Sequence, residues 1–155
     1  MCLASGEGIF QDSGVPHAYL EGQNIELMAN SDNVLRGGLT PKHVDVPELL
    51  KHVVFEETVP NVLVGDQSHE GFKSLYPCSA PDFDLSKISL SNDEKLTSTS
   101  ESLEIMLVVE GEAVAESEGE VLTLRQGEAM AITADCKYHL TTSKEVTIFM
   151  ASAGI

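Results

Sequence analysis

The chain has no tryptophan, and aromatic residues make up only 5% of its 155 positions. Cations are scarce as well: nine Lys and Arg stand against 25 Asp and Glu, giving a formal charge of -16 and a pI near 4.4. A surface of that sign repels a phosphate backbone, so nucleic acid is excluded as a partner. No apolar run approaches the roughly 20 residues that cross a bilayer, and Met1 is not followed by the basic and apolar segments of a secretory signal. These absences predict a soluble, cytoplasmic protein with no membrane partner. Cys2, Cys78 and Cys136 are odd in number, widely separated and without Cys-x-x-Cys spacing, which fits reduced thiols rather than a disulfide framework or a zinc ribbon.

What is present is mostly strand. From Phe83 onward, short apolar runs alternate with turn signals: Phe83–Leu85, Ile88–Leu90, Ile105–Val109, Glu112–Ala115, Val121–Leu124, Ala129–Ile132 and Val146–Met150. That spacing predicts an all-β sandwich or barrel, with a hairpin at Ser117–Glu120 and a tight turn at Gln126–Glu128. Seven acids and no cation fall between Glu101 and Glu120, which reads as a solvated face because the spacing matches no oxygen-ligand loop for calcium.

An internal repeat links the two ends of the chain. Gly6-Glu7-Gly8 and Gly127-Glu128-Ala129 each open an apolar strand, and the offset of 121 between Gly6 and Gly127 aligns Tyr138 with His17 and Leu140 with Tyr19. Two related barrels are implied, the first represented by its last strands and the second nearly complete. Tyr138 and His139 read as structural. Between them, Asp45 with Glu48 three residues on has capping-box spacing, Pro47 is tolerated in the first turn, and Leu49, Leu50 and Val53 share one face, predicting a short packing helix. Residues 56–81 read as a crossing loop with one or two short strands around Val62–Val64.

Most of the reactive chemistry lies in Gly14 to Lys42. Read as strands, Pro16–Leu20 and Ile25–Ala29 place His17 and Tyr19 on one side, a combination suited to metal ligation or proton transfer. Glu26 is the one charge among apolar neighbours, so it either faces water or needs a partner. Arg36 and Lys42 are the only Lys or Arg among the first fifty residues, which suggests an anion-binding purpose.

The ordered run Pro16-His17-Ala18-Tyr19-Leu20, Ile25-Glu26-Leu27-Met28-Ala29, Ser31-Asp32-Asn33, Arg36-Gly37-Gly38-Leu39-Thr40-Pro41-Lys42 and Asp45-Val46-Pro47 resembles type I phosphomannose isomerase. The resemblance implies a zinc enzyme of the cupin superfamily that interconverts mannose 6-phosphate and fructose 6-phosphate. It further implies that His17 is a zinc ligand, that Arg36 is an active-site residue, and that Tyr19, Glu26 and Lys42 line the substrate pocket. The implied fold is a C-terminal jelly-roll barrel preceded by the last strands of a truncated catalytic cupin and a short helix. On that reading residues 1–54 hold the terminal strands, active-site loop and helix of the catalytic cupin, and residues 55–155 form the C-terminal jelly-roll domain.

The Gln-x-His pair and the Glu that complete the family's zinc site lie upstream of the motif, and no such pair precedes His17. The other histidines, His43, His52, His69 and His139, are isolated singles. Two functions are therefore expected to compete. One is a C-terminal portion of the isomerase, inactive without its N-terminal half. The other is a stand-alone non-catalytic cupin that binds a sugar phosphate or mediates assembly. Apolar strands between Met1 and Ala29 that lack barrel partners are expected to be covered, either in a homo-oligomer or by the second barrel.

Overall fold

The computed structural model describes residues 1–31, 33–67 and 71–154. Asp32 of the Ser-Asp-Asn run and His69 lie outside the described residues. The chain divides into two compact units, Met1–Gly8 with Leu63–Ile155 and, separately, Ile9–Val62. Two very short strands, β1 (Gly8–Ile9) and β2 (Val62–Leu63), pair with each other.

The larger unit is a β-sandwich. Its first sheet contains β3 (Asp66–Gln67), β4 (Lys73–Tyr76), β5 (Phe83–Leu90), β7 (Glu104–Glu110), β10 (Ala129–Ile132) and β12 (Val146–Ala153), in the order β10-β7-β12-β5-β4-β3. The second contains β6 (Lys95–Thr99), β8 (Glu112–Ser117), β9 (Glu120–Arg125) and β11 (Lys137–Thr141), in the order β6-β11-β8-β9. Every pairing within the two sheets is antiparallel. This is the architecture of a jelly roll.

Period-two alternation builds the core. Met106 and Val108 of β7 point inward, as do Ile88 and Leu90 of β5, Val146, Ile148 and Met150 of β12, and Leu140 of β11. Each such aliphatic side chain contributes about 1.5–3 kcal/mol by leaving water. Gly111 turns the chain from one sheet to the other, from β7 to β8. It adopts φ +80°, and a Cβ there would collide with the Glu145 carbonyl oxygen, so only glycine fits without displacement.

The repeat seen in the sequence has a counterpart in the backbone. Gly6 and Gly127 have φ of 87° and 85°. In each turn a glutamate takes the backbone N–H three residues earlier: Ala4 N donates to Glu7 Oε2 at 2.7 Å and Arg125 N to Glu128 Oε2 at 2.8 Å. The backbone bonds match too, Glu7 N to Ala4 O and Glu128 N to Arg125 O. Further along, Gly14 and Asp135 both occupy the left-handed region, at φ 81° and 62°.

Two expectations are corrected. Residues 16–20 and 25–29 form no strand among the described residues. A strand needs a neighbour to take up its backbone N–H and C=O groups, and neither segment is paired with a described strand. The helix, α1 (Val46–His52), forms with Asp45 as its cap, accepting the Glu48 N–H at 3.0 Å, but it buries no residue. The capping box is only half made, because the Glu48 side chain turns to Lys51 and His52 instead of back to Asp45.

Candidate functional site

The sequence-selected residues all lie in the smaller unit. The Nδ1 of His17 is 3.1 Å from the Val15 carbonyl oxygen. A carbonyl only accepts, so this bond requires the proton on Nδ1 and leaves the Nε2 lone pair free for a metal or a proton. The Tyr19 ring stands edge-on to His17 with centroids 5.7 Å apart and planes at 63°. Tyr19 donates its hydroxyl proton to Glu26 Oε1 at 2.9 Å. Partial burial of the phenol, joined by the hydrogen bond and charge of Glu26, raises the Tyr19 pKa. Glu26 thus finds the partner that a lone carboxylate among apolar neighbours calls for.

His17, Tyr19 and Glu26 consequently form one chain of contacts, even though the strands expected to align them are absent. Arg36 and Lys42 are not joined to it by any bond among the described residues. Arg36 Nη1 donates to the Val34 carbonyl at 3.4 Å, and the Lys42 backbone N–H donates to Thr40 Oγ1 at 3.2 Å. The ion pairs of the described residues involve Lys51, His52 and Arg125, not Arg36 or Lys42. The arrangement therefore offers an imidazole lone pair, a phenol–carboxylate couple and two cations suited to an oxyanion.

A zinc ion does not fit these residues by themselves. No group of three or more His, Cys, Asp and Glu side chains able to hold a metal occurs among the described residues, whereas zinc sites take three or four protein ligands. The sequence does hold one Gln-x-His run, Gln67-Ser68-His69, which the reading of isolated histidines passed over. It follows the motif rather than preceding it, and its Ser68 and His69 lie outside the described residues. The three cysteines are unpaired. No described helix is long and apolar enough to cross a membrane.

Residues 74–148 match the family model described as mannose-6-phosphate isomerase, cupin domain. Over those residues the chain carries the mannose-6-phosphate isomerase cupin domain. The mannose-6-phosphate isomerase of Escherichia coli is 41% identical over 133 residues, covering 86% of this chain and 34% of the relative. The mouse mannose-6-phosphate isomerase is 35% identical over 160 residues, covering 97% of this chain and 38% of the relative. So broad a match leaves too little of the chain outside it to omit residues 17–42.

Solved isomerases from Salmonella typhimurium superpose with a TM-score of 0.69 at 32% identity, covering 83% of this chain and 32% of theirs. One of them is bound to fructose 6-phosphate and zinc. The chain spans about a third of the length of the curated isomerases it matches.

Proposed function

We propose that the chain is the C-terminal portion of a cytoplasmic mannose-6-phosphate isomerase, inactive alone and competent when the rest of the isomerase fold is supplied. The carrying observation is the joint one: likeness to isomerases extends across residues 17–42, yet those residues supply one imidazole where zinc needs three or four ligands. In the completed protein His17 contributes one zinc ligand through Nε2, and the remaining donors come from the missing portion. Residues 1–54 then belong to the catalytic cupin and residues 55–155 to the C-terminal jelly roll.

Interconversion of an aldose and a ketose moves a proton between neighbouring sugar carbons through an enediol, so negative charge develops on the sugar oxygens. Arg36 is placed in the role of stabilising that charge. Lys42 holds the phosphate, and the Tyr19–Glu26 couple orients hydroxyls. The likeness to an isomerase bound to fructose 6-phosphate and zinc supports this choice of substrate class.

The test is zinc content by atomic emission together with a coupled assay for mannose 6-phosphate conversion. Both are run on the chain alone and after refolding with the complementary portion of the Escherichia coli enzyme. Neither zinc nor turnover is expected alone, and both with the complement, with Arg36→Ala then abolishing turnover while zinc is kept. Turnover by the chain alone would refute the dependence on a second portion. A well-folded complex without turnover would refute the isomerase assignment.

A further inference from the structure

The larger unit carries a polar cavity of its own. A half-open cavity of about 310 Å³ lies on the outer face of the larger sheet, lined by Ser5, Glu7, Ser74, Lys87 and Ser89 together with Phe72. Ser74 and Lys87 are direct cross-strand partners on β4 and β5, so their side chains leave the sheet on the same side. The turn at Gly6 is held over that face by Tyr76, whose hydroxyl donates to the Gly6 carbonyl at 2.7 Å while its ring stacks on Phe149. The Lys87 ammonium comes within 3.8 Å of where a Cβ on Gly6 would stand, which places the cation directly beneath the turn.

The donors of this cavity have no side-chain partner among the described residues. Among the described residues Lys87 has no ion pair, although the chain carries 25 acids, and it is partly buried. None of the Ser5, Ser74 or Ser89 hydroxyls has a side-chain hydrogen bond there either. Glu7 holds the Ala4 N–H through Oε2 and keeps its other oxygen as an acceptor. An ammonium with three hydroxyls suits an oxyanion. A carboxylate beside them repels a bare anion but accepts from hydroxyl groups.

We propose that this cavity binds a small polyhydroxylated anion, its oxyanion on Lys87 and the serine hydroxyls and its own hydroxyls on Glu7. A sugar phosphate and a sugar acid share that chemistry.

The experiment is an amide chemical-shift titration of the full chain with fructose 6-phosphate, gluconate, fructose and inorganic phosphate in turn. Saturable shifts are expected at Gly6, Ser74, Lys87 and Ser89 with one or both polyhydroxylated anions, the tighter one identifying the source. Fructose and phosphate should each bind weaker by roughly tenfold or more, as should the anion to Lys87→Met. Ser89→Ala, at an exposed position, gives a second reading of the same site without touching the packed sheet. Arg36→Ala leaves the affinity unchanged, so a failure here is separate from a failure of the isomerase assignment. Absence of shifts at these residues, phosphate alone binding as tightly as its ester, or an unaltered affinity in both cavity variants would overturn the proposal.

Discussion

Tyr138 occupies the position that the repeat aligns with His17, and its surroundings explain why this copy offers no ligand. The side chain is 2% exposed, and its hydroxyl donates to Glu104 Oε2 at 2.9 Å, with Glu104 itself only 6% exposed. The phenol, paired with a carboxylate, fills the interior of the sandwich, whereas the aligned His17 is exposed. Burial above all, with the charge of Glu104 and the hydrogen bond to it, holds the Tyr138 pKa well above the ordinary range, while a bond with Ser98 works the other way.

Unfolded tyrosine ionises near pH 10, whereas folded Tyr138 keeps its proton to higher pH. Its contribution to stability is therefore complete below about pH 10 and is lost as pH climbs beyond that value. Tyr138→Phe strands the Glu104 carboxylate without its donor, and urea unfolding should show a loss of about 1–3 kcal/mol near neutral pH. The variant should also lose part of the decline above pH 10. Wild-type stability in Tyr138→Phe would mean that water or another group satisfies Glu104.

The strands and turns differ in how plainly the residues announce them. β7, β9, β10 and β12 were legible because apolar residues either run on or alternate between turn signals. β6, Lys-Leu-Thr-Ser-Thr, and β11, Lys-Tyr-His-Leu-Thr, were not, since each sends only one or two side chains, Leu96 and Tyr138 with Leu140, into the core and is polar elsewhere. β4 was hidden inside a segment rich in loop-forming residues. In the candidate site the resemblance picked out His17, Tyr19, Glu26, Arg36 and Lys42, but no local pattern revealed that the flanking segments would lack strand partners. Pairing is a property of the neighbour as much as of the segment.

Two tests follow from these elements. Gly111→Ala combines a left-handed φ with a backbone clash at the Glu145 carbonyl, so it should destabilise the sandwich by at least about 2 kcal/mol in denaturant unfolding. A near-neutral result would show that the β7–β8 corner can rearrange. In α1, hydrogen bonds from Lys51 first and His52 second hold the Glu48 pKa below its ordinary value. The helix support from this carboxylate is thus present above the ordinary glutamate pKa and is lost as pH falls through the lower, folded one. Carbon-detected titration should place the Glu48 midpoint below that of a free glutamate, and Lys51→Met should raise it. An unmoved midpoint in Lys51→Met would show that Lys51 is not the cause.

The two units should also differ sharply in their resistance to local opening. The sandwich pairs its backbone groups in two antiparallel sheets around a continuous apolar core, so its central amides open only with the whole unit. In the smaller unit Leu20 and Leu39 are 91% and 97% exposed, and residues 16–44 contain no helix or strand among those described. Opening there breaks few hydrogen bonds and uncovers little apolar surface that is not already wet. Hydrogen exchange at low concentration should therefore be fast across residues 16–31 and 33–44 and slow in β5, β7 and β12. Protection that grows with concentration would identify a second copy as the cover for those exposed leucines. Protection that appears only with the complementary isomerase portion would identify that portion as the cover. Equal protection in both units at low concentration would contradict this difference in local stability between the two units.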